Sequence, residues 1–389
     1  MVVRKLNPAS QKRMQELVKT IVKSRGLDLT FELDDFLESA KISKLSKYEA
    51  IAKIANYYRN NNLVLVLGAG VSIDSGLPTW NDLLQELITL PIRDRTSLND
   101  EQVTVISQLF NLVLRPNNLI EARYISNYFS ELEKKDNKPN LFEKAVQKIL
   151  YKDYDSTKES ELLKKIVQLC ISPGSNHSLN SVITYNYDDL LENQIQKIEK
   201  AGVLMRFKSI YTIGQNPKPN ELPIYHVHGF LPRDGKITQI NNITLGDNSY
   251  HSQYSEVYKW SNLVQLNKFK DYNCLFIGNS LTDPNQRRLL DIAKQQRGND
   301  EIVHFLIKKK YSAKELETRL KNILSTEGKI LSEKEKANMS FESTLEKIID
   351  IVHKFETNDA HSFGIEIIWV NNYKDIKSLL NEIEEKSHL

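Results

Sequence analysis

The chain has 389 residues, enough to bury a substantial core and to hold more than one domain. Its 53 Lys and Arg against 50 Asp and Glu leave a net charge of +3, too weak a bias for a chain whose main partner is nucleic acid. No stretch approaches the roughly 18 apolar residues of a membrane span, and "MVVRKLNPASQKR" at the start lacks the apolar segment of a secretion signal, so a cytoplasmic protein with no membrane partner is expected.

Residues 8–60 read as helices, because apolar positions in "MQELVKTIVKSRGL" and "YEAIAKIANYYRN" recur at three- and four-residue spacing. This predicts a helical N-terminal region over 1–60, followed by a second domain over 61–389. The pattern changes at Leu63, where "LVLVL" is a continuous apolar run of the kind a parallel strand shows when both its faces are covered. Similar runs follow at 181–186, 224–229, 274–280, 302–308 and 365–370. Helical segments lie between them, so the expected fold class is α/β, a doubly wound, mostly parallel, Rossmann-like sheet. The stretches 82–170 and 311–360 are too long for single crossovers and are predicted to be helical insertions. Basic runs such as "IKKKY" at 307–311 read as solvated faces. Cys170 and Cys274 lie far apart without metal-ligand spacing, so neither a disulfide nor a thiolate zinc site is expected.

Four polar turns stand at the ends of these strands. In an open parallel sheet, ligands bind beyond the carboxyl ends of the strands. "LVLVLGAGVSIDSGLPTW" (63–80) places Gly68, Ala69, Gly70 and Ser72 directly after the first strand, where small residues let a pyrophosphate reach backbone N–H groups. Ile73 stands where a G-x-G-x-x-G fingerprint needs its third glycine, and no G-K-[ST] follows, so neither the dinucleotide fingerprint nor a P-loop is present. A bare G-x-G after a strand is equally compatible with a tight turn that holds no ligand. "TYNYDDL" (184–190) sets Asn186 and Asp188 on one side of the chain, and "YHVHGF" (225–230) sets His226 and His228 one strand step apart. "FIGNSLTDPNQRRLL" (276–290) supplies a second glycine–hydroxyl turn through Gly278, Asn279 and Ser280.

The ordered set, from Gly68-Ala69-Gly70-Val71-Ser72 through Gly76-Leu77-Pro78, Asn186-x-Asp188 and His228-Gly229 to Gly278-x-Ser280, resembles the sirtuins over about 60–310. It departs from sirtuin deacylases in three places. Residues 231–254 contain no zinc-binding cysteines, Pro78-Thr79-Trp80-Asn81 lacks the charged members of the usual motif, and Tyr185 replaces a glutamine. With those departures the chain is most similar to the sirtuin-like proteins of bacterial antiphage defence, whose domain hydrolyses NAD+ rather than deacylating protein. Its size and overall pattern look most like the subunits that assemble with a HerA-type ATPase.

That resemblance implies an NAD+ glycohydrolase that depletes NAD+ as an abortive-infection effector, works without zinc and forms a homo-oligomer. Asn186 is then expected to orient the nicotinamide ribose or the attacking water, and His228 to accept a proton. Gly68, Ala69, Gly70, Ser72, Asp74, Pro78, Trp80, Asp188, Gly278, Asn279 and Ser280 are expected around the dinucleotide. His226 has an open role, either packing and hydrogen bonding or, with His251 as a further ligand, metal binding; no metal site is predicted. "LGDNSYHSQY" (245–254) reads as a lid or as an ordinary surface loop. Two other activities fit the same residues, an NAD-dependent protein deacylase and a non-catalytic NAD or ADP-ribose sensor.

Overall fold

The computed structural model describes residues 45–93, 99, 102, 103, 105, 118–158, 160–171, 179–200, 206–298, 301–318 and 342–388. Of the helical N-terminal region expected over 1–60, residues 1–44 lie outside this range. The chain divides into two compact units, Met1–Lys44 with Lys309–Ala360, and Leu45–Lys308 with His361–Leu389. In the first, the ring of Tyr311 stacks on His353 at 5.6 Å, and its hydroxyl donates to Glu356 Oε1 at 2.8 Å. The second unit holds the sheet.

That unit opens with helix α1 (Lys47–Arg59). Its start is fixed by a capping box, in which the Glu49 amide donates to Ser46 Oγ and the Ser46 amide donates to Glu49 Oε2. Ala50, Ile51, Ile54, Ala55 and Tyr58 form its buried face at helical spacing, and the Tyr58 hydroxyl donates to the Leu169 carbonyl at 2.8 Å. Strand β1 (Leu63–Leu67) follows and is buried at every position. Two 3-10 turns and helix α2 (Trp80–Arg93) come next, then α3 (Asn118–Asp136), α4 (Leu141–Leu150) and α5 (Glu161–Cys170). The apolar faces of α2–α5 join the same core cluster as Leu65 of the central strand.

The remaining order is β2 (Leu179–Thr184), α6 (Leu190–Lys200), β3 (Phe207–Ile210), β4 (Leu222–His226), α7 (Asp247–Ser255), α8 (Trp260–Asp271), β5 (Asn273–Ile277), α9 (Pro284–Arg297) and β6 (His304–Lys309). Helix α10 (Glu342–Ser362) crosses the division between the units, and β7 (Ile365–Val370) and α11 (Lys374–Ser387) end the described chain. The seven strands form one parallel, doubly wound sheet in the order β3-β4-β2-β1-β5-β6-β7.

Two differences from the sequence reading have plain causes. β3 is an edge strand with three half-buried positions out of four, so it shows no continuous apolar run. β2 and β4 also stop at Thr184 and His226, two or three residues before the apolar runs do. Asn186, Asp188 and His228 therefore stand in the turns beyond the strands, where alternation no longer decides which way a side chain points.

Candidate active site

In sequence, β1 leads to β2 on one side of it, whereas β5, its neighbour on the other side, leads outward to β6. The crevice beyond the ends of β1 and β5 is therefore the topological switch point of the sheet, the place where ligands bind in this class of fold. Leu67 and Ile277 are paired at that end, and the two glycine turns begin with the next residue of each strand.

The turns are built against each other. A Cβ on Gly68 would stand 2.5 Å from the Gly278 carbonyl oxygen, and one on Gly70 would stand 2.7 Å from Gly278 Cα. Gly278 has φ +64°, and a Cβ there would meet the Val71 nitrogen at 2.6 Å. The Gly68 and Gly70 amides donate to the carbonyls of Ile277 and Gly278 at 3.1 and 3.0 Å. These glycines are thus required first by loop-to-loop packing, before any ligand is considered.

Ser72 is the junction between this loop and the next. Its hydroxyl donates to Asp188 Oδ2 at 2.9 Å and accepts from Asn186 Nδ2 at 3.2 Å. Asn186 Nδ2 also donates to the Gly68 carbonyl at 3.2 Å. Both amide hydrogens of Asn186 are used, so Oδ1 is the atom it can offer to a hydroxyl or a water. Asp188 Oδ1 accepts the Leu190 amide at 3.1 Å, at the start of α6. Burial pushes the Asp188 carboxyl up to about 6, against the pull of the Leu190 amide and the Ser72 hydroxyl.

The two histidines have different partners. His226 Nε2 lies 2.7 Å from Glu192 Oε1, which also accepts the Ser209 hydroxyl at 2.8 Å. Its Nδ1 lies 3.4 Å from the Asn186 carbonyl oxygen, so the pair braces the backbone of the Asn186 turn. Burial alone would raise the Glu192 carboxyl, but the His226 ring and the Ser209 hydroxyl outweigh it and hold it below the usual carboxylate range. His228 lies beyond the strand with its ring edge-to-face on Tyr185 at 4.8 Å and on Tyr250 at 6.0 Å. Its Nε2 is 3.4 Å from Asp283 Oδ2, yet it is buried without a hydrogen-bond partner. Burial lowers its pKa, Asp283 acts against that and Lys259 adds to it. The imidazole is accordingly neutral around pH 7, able to take a proton.

A cavity of about 510 Å3 opens beside this ring. His226, His228, Tyr211, Phe142, Lys259 and Trp260 help line it, whereas Gly68, Ala69, Gly70 and Ser72 are not among its lining residues. The cavity therefore flanks the histidine side of the site, not the glycine side.

The other expected residues are less gathered. Pro78 and Trp80 are half-buried, with Trp80 packed on the core, while Ala69, Asp74 and Ser280 are exposed. Asn279 Oδ1 accepts the Leu281 amide at 2.8 Å, and Ser280 Oγ pairs with Thr282 Oγ1 at 2.6 Å. His226 is taken by Glu192, and among the described residues no group of three or more His, Cys, Asp or Glu is placed to hold a metal ion. Segment 245–254 is largely helix α7, and its Tyr250 is buried against His228.

Sequence reasoning missed Glu192, Tyr250 and Asp283. Asp283 carried a signal of its own, since Asp-Pro before a helical run is the usual helix start, with Pro at the first helical position.

A doubly wound sheet with a polar cluster at its switch point places the chain among the α/β domains whose ligands bind at the carboxyl ends of the strands. Within that class, residues 180–327 match the SIR2-like domain. The chain is 22% identical over 348 residues to the NAD(+) hydrolase ThsA of Enterococcus faecium, a match that takes in 88% of this chain and 59% of that protein. The chain thus spans less than two thirds of that relative's length. Among the described residues, no helix is long and apolar enough to cross a membrane.

Proposed function

We propose that the chain is an NAD+ glycohydrolase, splitting NAD+ and water into nicotinamide and ADP-ribose. The observation that carries this reading is the Ser72 junction. One buried hydroxyl at the switch point joins Asn186 and Asp188, and a buried, neutral imidazole stands in the neighbouring turn. The similarity to a SIR2-like domain and to an NAD(+) hydrolase supports the choice of NAD+ among dinucleotides.

The chemistry suits these groups. The C1′–N bond breaks with its electron pair going to the nicotinamide nitrogen, whose positive charge is cancelled, so no strong acid is needed. Water adds to C1′ as positive charge develops there, and its proton passes to His228. Asn186 Oδ1 orients that water or a ribose hydroxyl, held in place by the two bonds from its Nδ2. The turns at 68–72 and 278–280 flank the pyrophosphate and adenosine, with Asp74, Pro78 and Trp80 at the border and Asp188 toward the carboxamide. No step draws on zinc, consistent with the absence of cysteine between 231 and 254.

In the cell this reading makes the protein a cytoplasmic antiphage effector that depletes NAD+. It acts as a homo-oligomer in complex with a HerA-type ATPase, and the segments 8–60 and 82–170 supply the surfaces for those contacts. The site assignment is tested by Asn186→Ala and His228→Ala. Each is expected to lower nicotinamide release at least about a hundredfold with unchanged circular dichroism. Full activity in both would overturn the assigned roles.

A further inference from the structure

The carboxylate of Asp283 does two jobs in the fold. Oδ1 accepts the Gln286 amide at 2.7 Å and caps α9, while Oδ2 faces His228 Nε2 at 3.4 Å and accepts the hydroxyl of Tyr250. The histidine nitrogen pointing at this oxygen is buried and has no hydrogen bond. The Tyr250 hydroxyl and His228 Nε2 thus face one carboxylate oxygen, and Tyr250 holds it. The approach to Asp283 is also unusual, because Leu281 adopts φ +55°, a left-handed conformation that residues other than glycine rarely take.

We propose that Asp283 positions His228 for proton transfer, and that Tyr250 competes with the imidazole for the same carboxylate oxygen. The inference rests on the reading of His228 as the proton acceptor. When Tyr250 turns away, Oδ2 accepts the Nε2 hydrogen of the imidazole, fixes its tautomer and stabilises the imidazolium formed when Nδ1 takes the proton.

The titratable groups facing the imidazole are Tyr185 from the turn after β2, Tyr250 from α7, Lys259 just before α8 and Asp283 at the start of α9. Tyr187 and Tyr254 also lie within electrostatic reach of the carboxylate. Burial and Lys259 favour the neutral ring, and Asp283 favours the charged one. Freeing Oδ2 from Tyr250 therefore shifts the balance toward charge.

The test follows the His228 imidazole by NMR across pH in the full-length chain, with its signal identified by its loss in His228→Gln. Tyr250→Phe is expected to raise the midpoint by about one unit, and Asp283→Asn to lower it by a similar amount, as an opposing charge at this range would. Asn is as good an N-cap as Asp, so Asp283→Asn keeps the start of α9. The double variant should titrate like Asp283→Asn alone, and the acidic limb of nicotinamide release should move with each midpoint. A His228 midpoint unmoved by either substitution would overturn the proposal. Midpoints that move in a chain with no turnover of NAD+ would sustain the pairing and overturn the hydrolase reading instead.

Discussion

The two sides of the switch point are held by different forces. On one side, the turns after β1 and β5 are fixed by backbone packed on backbone, with Gly68, Gly70 and Gly278 leaving no room for a Cβ. On the other, the turns after β2 and β4 are fixed by buried polar side chains, Ser72 with Asn186 and Asp188, and Glu192 with His226. A sterically fixed wall has one arrangement, whereas a polar wall can change with protonation. The proposed hydrolysis places its proton transfer on the second.

Substitutions on each wall sharpen that contrast, beginning with the largest expected effect. Glu192→Ala leaves His226 buried without its partner and should cost about 3–5 kcal/mol in urea unfolding. A cost below about 1 kcal/mol would mean that the polar wall does not depend on this pair. Gly278→Ala meets both the positive φ and the Val71 nitrogen, and should cost about 2–3 kcal/mol. Gly298→Ala is its control, with φ +70° and nothing within 4 Å, and should cost only about 1–2 kcal/mol. Equal costs at the two positions would remove the claim that the glycine turns are sterically locked.

Asp188 gives a subtler signal. Its folded pKa of about 6 lies above the ordinary 3.8, so the folded state holds this proton longer than the unfolded one. Its contribution to stability is therefore greatest below pH 3.8 and declines as pH rises toward about 6. Asp188→Asn should flatten that decline in urea midpoints measured across the window, and an unchanged profile would contradict the burial argument. The smallest effect is expected at Tyr58→Phe, where loss of the bond to the Leu169 carbonyl should cost about 1 kcal/mol.

Much of this was legible in the residues themselves. The fully buried strands β1 and β5 announced themselves as apolar runs, and the doubly wound sheet followed from their alternation with helices. β3 escaped because an edge strand buries too little to leave a pattern. Asn186, Asp188 and Ser72 stood out as polar groups beside strand ends, but their convergence on one hydroxyl depends on the tertiary approach of two loops. The same holds for Asp283 and Tyr250, 33 residues apart, and for Glu192 and His226, 34 apart. Spacing along a helix or strand cannot reveal such pairs. The glycines were visible, yet their main use was not, since a G-x-G turn looks the same whether it faces a phosphate or another loop.

The most direct measurement incubates the purified chain with NAD+ as the sole substrate and identifies the products by mass. The account predicts nicotinamide and ADP-ribose in equal amounts with no acyl-peptide present. Nicotinamide that forms only when an acyl-lysine peptide is added, or NAD+ recovered intact from the bound state, would contradict it.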